Sequence, residues 1–313
     1  MTWHLVTMDF PPMDGGIASW AADTAAALTA AGEEVRVYTP RRVGSVGTTP
    51  LWGRSWQTWG HVWVAAQVLP RLKSGDRVVA ATWPLAVSLI GRADVSAVFH
   101  GSDLTRTAAQ PGLDAVKRGA VLLPVSRFLG GLLAAPHTVL PMPLAPAPRA
   151  IPGDALLAIA RLGPLKGVDR AIRLAARCGR PLTVVGDGPA RSALELLARD
   201  LGVRATFTGR LARAGIPWDG HHAAVLLSRT DSDGTGAEGF GLVLVEAAAR
   251  GIPTVGSPVG GLPEAAMAVL ADPDVDPLPE FGAGAREAAV EFVAARHGPE
   301  RAVRVLRATS GYA

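Results

Sequence analysis

Leu5-Val6-Thr7-Met8, then Pro11-Pro12-Met13-Asp14-Gly15-Gly16, then the Ala-rich run Ile17 to Ala31, then Val35-Arg36-Val37-Tyr38 follow one another at the start of the chain. The first and last are short apolar runs that read as strands. The proline- and glycine-rich piece reads as a loop, and the run between carries helical periodicity closed by Gly32. A strand, loop, helix and second strand in that order open a parallel, doubly wound sheet of the α/β class. Further strands are predicted at Arg77–Ala81, Ala97–His100 and Val121–Pro124, with helical segments at 60–73 and 111–119. No Gly-x-Gly-x-x-Gly follows the first strand, which argues against a dinucleotide-dependent dehydrogenase.

Working outward, Leu140-Pro-Met-Pro-Leu-Ala-Pro-Ala-Pro-Arg149 holds four prolines in ten residues. Each proline restricts its own backbone and that of its predecessor, so this stretch is an extended connector and the best domain boundary. Beyond it the alternation resumes. Strands are predicted at Leu156–Ala160, Leu182–Val185, Thr206–Thr208, Ala223–Ser228 and Thr254–Gly256, and helices at Gly167–Cys178, Ala190–Leu201 and Leu242–Arg250. At 313 residues the chain exceeds the size at which one core stops growing, so two domains are expected. The boundaries read as 1–148 for an N-terminal Rossmann-like domain and 149–295 for a C-terminal one. Residues 296–313 complete a last amphipathic helix, spanning about 285–307, that is expected to pack back on the first domain.

Composition narrows the function classes. No run of eighteen or more apolar residues occurs, which argues against a transmembrane helix. No basic stretch followed by an apolar one opens the chain, so no secretory signal is expected, and the predicted location is cytoplasmic. The single cysteine, Cys178, excludes an intrachain disulfide and a cysteine-based metal site. Heavy use of Ala, Gly, Arg and Pro fits a high-GC bacterial genome, such as an actinobacterial one. Residues 1–150 hold 13 Lys and Arg against 9 Asp and Glu, so the whole net charge of +4 lies in the first half. That excess is dispersed and carries no aromatic-interleaved basic run, so no nucleic-acid partner is expected. It is compatible with an anionic acceptor or peripheral contact at the inner membrane face.

The chemistry concentrates in Glu238-Gly239-Phe240-Gly241-Leu242, which leads through an apolar run to Glu246. Glycines at a loop-to-helix junction let backbone N–H groups approach a ligand, and the helix start presents positive potential to a diphosphate. Glu238, in the loop, can accept hydrogen bonds from sugar hydroxyls. Glu246, about two turns into the helix, can hold the two hydroxyls of a ribose. Gly251, Pro253 and Gly260-Gly261-Leu-Pro-Glu264 continue the pattern. Ala160-Arg161-Leu162-Gly-Pro-Leu-Lys166-Gly167 follows the first strand of the second half, and Gly186-Asp-Gly-Pro189 and Phe207-Thr-Gly209-Arg210 follow the next two. In the first half, Gly15-Gly16 precedes a helix, His100-Gly-Ser-Asp103 ends a strand, and Ser126-Arg127 follows another.

Together these stretches resemble glycosyltransferase family 4, retaining enzymes of the GT-B fold akin to the bacterial glycosyl transferases group 1. The resemblance runs from the first loop to about Glu264 and is strongest in the second half. It implies two Rossmann-like domains facing across a cleft, with the donor in the second and the acceptor in the first. It also implies that Arg161 and Lys166 neutralise the donor diphosphate, where negative charge develops as the glycosidic bond breaks. By the same resemblance, Glu238 holds the donor sugar, Glu246 the ribose, and His100 contacts the transferred sugar. Gly15, Gly16, Gly186, Gly209, Gly239, Phe240, Gly241 and Leu242 line the nucleotide-sugar site. Ala160 stands where the family usually has Gly, a departure that leaves the charged pair intact.

The implied activity is retaining transfer of a hexose-type sugar from a UDP- or GDP-type donor to a small-molecule or lipid-linked acceptor. The nucleotide sugar is a co-substrate, and no metal or tightly held cofactor is expected. Asp231-Ser-Asp233 and Asp272-Pro-Asp-Val-Asp276 read as solvated loops, and His221-His222 lacks partners at metal-ligand spacing. Two alternatives stand beside this reading: a non-catalytic sugar-nucleotide-binding protein, and another GT-B catalyst of epimerase or phosphorylase type. Trp52, Trp56, Trp59 and Trp63 fall on one helical face. Trp59 and Trp63 are expected in the core, while Trp52 and Trp56 are candidates for acceptor or membrane contact.

Overall fold

A computed structural model describes residues 1–13, 15–39, 48–50, 64, 66–101, 104, 112–231 and 238–309. The four-tryptophan stripe lies outside the described residues. The chain forms two compact units, one of residues 1–145 and 297–313, the other of residues 146–296.

In the first unit six parallel strands are ordered β3-β2-β1-β4-β5-β6, where β1 is Thr2–Val6, β2 Glu34–Thr39, β3 Thr48–Pro50, β4 Arg77–Ala80, β5 Asp94–Phe99 and β6 Val121–Pro124. The first strand starts three residues earlier than its apolar run suggests. Thr2 and His4 are polar yet buried, because the Thr2 N–H donates to Asp76 at 2.8 Å and His4 is bonded on both ring nitrogens. Its Nδ1 lies 2.8 Å from the Tyr38 hydroxyl and its Nε2 3.1 Å from Asp76. That network makes a polar strand buriable, and hydropathy alone does not show it.

Helix α1, Gly16–Ala30, buries Ala18, Trp20, Ala21, Thr24, Ala25, Ala27 and Leu28, a stripe at helical spacing, and stops ahead of Gly32 in the left-handed region. Shorter helices follow: α2 (Trp83–Ala86), α3 (Leu113–Gly119) and α4 (Arg127–Leu133). Ser126 is wholly buried and caps α4, its hydroxyl accepting from the Leu129 N–H at 3.2 Å.

The second unit repeats the plan. Strands β7 (Pro152–Ile159), β8 (Leu182–Val185), β9 (Ala205–Gly209), β10 (His221–Leu226), β11 (Thr254–Gly256) and β12 (Ala268–Val269) lie in the order β12-β11-β10-β7-β8-β9, all parallel. Read from the other edge this is the order of the first sheet, the doubly wound 3-2-1-4-5-6 arrangement. Helices α5 (Val168–Cys178), α6 (Arg191–Asp200), α7 (Leu242–Ala248), α8 (Leu262–Ala265) and α9 (Ala285–Arg296) complete it. The predicted continuous helix 285–307 is two helices. Gly298 adopts φ 123° and Pro299 opens α10, Pro299–Ala308, because proline lacks the N–H that would continue α9.

Helix α10 belongs to the first unit and packs on α1, where Arg307 pairs with Glu33 at 2.7 Å and donates to the Ala31 carbonyl. Among the described residues no helix is long and apolar enough to cross a membrane.

Candidate active site

In the second unit the strand order reverses between β7 and β10. In open α/β sheets ligands bind outside the carboxyl ends of the strands at such a reversal. The loop leaving β7 carries Arg161 and Lys166, and the loop leaving β10 carries Ser228 and Glu238. The chain thereby joins two stretches 72 residues apart: Lys166 Nζ lies 2.5 Å from Glu238 Oε2. The Ser228 hydroxyl reaches the same carboxylate oxygen at 3.4 Å. The pair is neither buried nor fully solvated, with side-chain exposures of 33% and 18%. Partly solvated, it is open to exchange with a ligand. Arg161 is exposed on the turn ahead of Lys166, and no carboxylate among the described residues pairs with it.

Two backbone interlocks hold these loops. Gly260 sits in the left-handed region at φ 59°, and a Cβ there would lie 2.1 Å from the Glu238 carbonyl oxygen. A Cβ on Gly261 would lie 2.2 Å from the Gly239 carbonyl, and the Gly261 N–H donates to the Glu238 carbonyl at 2.9 Å. The Gly260-Gly261 pair thus lets one loop lie directly on the loop bearing Glu238. Gly186 does the same for Arg161. Its absent Cβ would meet the Ala160 carbonyl oxygen at 1.9 Å, while the Ala160 N–H donates to Val185 and the Leu162 N–H to Asp187, at 3.0 and 2.9 Å. The Gly186 N–H in turn donates to the Gly209 carbonyl at 2.8 Å, which ties both glycines into the same layer of loops.

Gly241 ends the Glu238 loop at φ 95° and caps α7, directly ahead of Leu242. The Phe240 side chain is only 5% exposed. Its ring is a packing group, and a ligand contact from Phe240 falls to its backbone. Gly239, by contrast, gives its carbonyl side to the close approach of Gly261. Glu246 lies on α7 at 6% exposure, and its Oε1 is 2.7 Å from Arg213 Nε. Arg213 was not singled out by any motif, and no sequence signal marks it; it stands on a single 3-10 turn, Arg213–Gly215, after β9.

The remaining candidates belong to the first unit. Gly15 precedes α1 at φ 150°, and Gly16 is the first helical residue. His100 directly follows β5. Its ring meets Trp20 of α1 edge-on, with centroids 4.8 Å apart and planes at 70°. Burial of the ring lowers its pKa to about 4, opposed by a hydrogen bond to the Ala81 backbone, so His100 is neutral at physiological pH. It can exchange hydrogen bonds with a hydroxyl but does not supply a positive charge. His221 is buried with Nδ1 donating to the Trp218 carbonyl at 3.1 Å, and His222 packs against Phe281, so neither joins the candidate site. Asp272 to Asp276 form a hydrogen-bonded turn, held to α5 by the Arg170–Asp274 ion pair at 2.7 Å.

Residues 152–268, the span holding Arg161, Lys166, Glu238 and Glu246, match the family described as glycosyl transferases group 1. A GDP-mannose-dependent alpha-(1-6)-phosphatidylinositol monomannoside mannosyltransferase of Mycolicibacterium smegmatis is 28% identical, over 94% of this chain and 92% of that protein. A D-inositol 3-phosphate glycosyltransferase of Mycobacterium leprae is 31% identical over 61% of this chain and 40% of its own length. Among solved structures, HepE of Anabaena in complex with UDP and glucose superposes with a TM-score of 0.75 at 17% identity, covering 98% of this chain and 99% of that one. At that identity the match establishes the fold, which is GT-B.

Proposed function

We propose that this chain, a glycosyltransferase whose residues 152–268 match the glycosyl transferases group 1 family, moves mannose, with retention, from GDP-mannose to an inositol-bearing, lipid-linked acceptor. The observation that carries the donor half is the pairing of Lys166 with Glu238 at the strand reversal of the second sheet, with Glu246 on the helix that follows. The mannosyltransferase of Mycolicibacterium smegmatis supports GDP-mannose and a lipid-linked acceptor, and both relatives act on inositol compounds by name.

In this reading the donor diphosphate lies against Arg161, Lys166 and the backbone that opens α7. Its negative charge grows as the bond from the anomeric carbon to the phosphate oxygen breaks, and fixed cations there lower the barrier. Glu238 accepts from the sugar hydroxyls, exchanging its bond with Lys166 for them. Glu246 accepts from the ribose hydroxyls. His100, neutral, is assigned to a hydroxyl of the transferred sugar. The acceptor oxygen bonds to the anomeric carbon on the face the phosphate leaves, and the departing phosphate oxygen takes the acceptor's proton. Atoms and charge balance without an enzymic nucleophile, and charge neutralisation by Arg161 and Lys166 gives no task to a metal.

The test is donor turnover by the full chain with GDP-mannose, UDP-glucose and related donors, read as nucleoside diphosphate release with and without phosphatidylinositol-type acceptors. Release with GDP-mannose that is lost in Arg161→Ala and Lys166→Ala supports the reading. Binding of a nucleotide sugar with no turnover across the panel would make the protein a non-catalytic binder.

A further inference from the structure

Glu246 is a carboxylate almost wholly removed from water, and Arg213 Nε stands 2.7 Å from its Oε1. An isolated carboxylate in such a place protonates rather than stay charged, and a protonated carboxyl is a poor acceptor for two hydroxyls at once. Arg213 is not loosely placed. Its 3-10 turn lies between Leu211 on one side and Ile216 and Trp218 on the other, all three packed on the core formed by Leu157, Val185 and Ala247. Trp218 is further held by the Arg250 guanidinium, 4.3 Å from its ring centroid, and Arg250 donates to the Glu246 backbone carbonyl at 2.8 Å. The loop after β9 and helix α7 are thus joined at both the backbone and the side chain of Glu246. The Arg213 side chain is 35% exposed, so its charge is carried at the edge of the site rather than sealed beneath it.

We propose that Arg213 is a positioning residue for the nucleotide, which holds the Glu246 carboxylate charged and oriented so that it can read the ribose hydroxyls. The proposal rests on the assignment of Glu246 to the ribose. Arg213 acts through Glu246 and need not touch the ligand. Its loss leaves the ribose carboxylate in place but miscast, whereas loss of Arg161 or Lys166 removes charge from the diphosphate itself.

Two probes separate these roles, GDP and 2′-deoxy-GDP, titrated calorimetrically into the full chain at pH 7.5. Wild type should prefer GDP by roughly tenfold or more, the worth of a hydrogen bond to a charged group. Glu246→Gln should lose most of that preference. Arg213→Ala should lose it too, and Arg213→Lys, which restores the cation without the planar fork, should recover part of it. A structural role alone would weaken both probes alike and leave the preference standing. That result in a folded Arg213→Ala protein overturns the proposal, and Arg213→Gln carries the same comparison if the alanine variant does not fold. Unchanged preference in Glu246→Gln, or none in wild type, would instead remove the ribose assignment and the proposal with it. Failure of wild type to bind GDP while it binds UDP moves the comparison to UDP and 2′-deoxy-UDP, with the same criteria.

Discussion

Gly260→Ala places one methyl group where the structure leaves no room for it. The new Cβ would stand 2.1 Å from the Glu238 carbonyl oxygen, whereas carbon and oxygen settle at about 3.3 Å or more, so the two loops must part by about 1 Å. The neighbour is backbone and cannot swing aside, and the displaced residue is the one whose carboxylate pairs with Lys166. Misplacement of a catalytic group by that amount is worth about 10²-fold in rate, so kcat/KM for donor turnover should fall on that order. Left-handed backbone strain adds a separate stability cost of about 1–2 kcal/mol. Gly202→Ala isolates that second effect. Gly202 has φ 64°, close to the 59° of Gly260, but nothing lies within 4 Å of its absent Cβ. Steady-state kinetics and urea unfolding of both variants should show a similar backbone penalty in each and lost activity in Gly260→Ala alone. If Gly260→Ala kept activity within a few-fold of wild type, the interlock would not be what positions Glu238.

Other outcomes follow from the same geometry. Arg161→Ala and Lys166→Ala should each lower kcat by about 10²–10³, as for removal of one group that stabilises developing charge, with thermal stability little changed for the exposed Arg161. Burial holds the pKa of His100 at about 4 and lowers those of His4 and His221 below the ordinary 6.5, so the unfolded chain binds protons that the fold excludes. The stability they contribute is present in full above about pH 6.5 and is lost as the pH falls towards 4, which urea midpoints at pH 7.5 and pH 5 would register as a drop at the lower value. Leu306→Ala removes a side chain that is 1% exposed on α10, and should cost about 2–5 kcal/mol in chemical unfolding.

Much of this fold is legible in the residues. The strand and helix periods, the four prolines near residue 145 and the Glu238 motif give the doubly wound plan and the donor loops. What escapes has particular physical reasons. His4 is buried because Tyr38 and Asp76, distant in sequence, satisfy its ring, so hydropathy mislocates the start of β1. The two-residue strand β12 carries too little pattern to be seen alone. The amphipathic period runs through Gly298-Pro299 and masks the break before α10, although an interior proline interrupts the helical ladder and Gly298 turns to positive φ there. Within the site, motif reading finds Lys166 and Glu238 but not that they meet, because the contact is set by strand order. It finds Gly186 and Gly260-Gly261 as family glycines, and the structure gives their reason as backbone approach to Ala160, Glu238 and Gly239. Arg213 is invisible beforehand, since a lone arginine in a polar loop carries no pattern.

The central claim is that the second unit binds a nucleotide sugar through Lys166, Glu238 and Glu246 and that the protein transfers the sugar. Proton NMR of the full chain with GDP-mannose and a phosphatidylinositol-type acceptor tests it most directly, because it reads transfer and anomeric configuration together. The account predicts an α-mannosyl product formed in step with GDP, and no product from Glu238→Gln. A β-configured product, or transfer undiminished in Glu238→Gln, would contradict it.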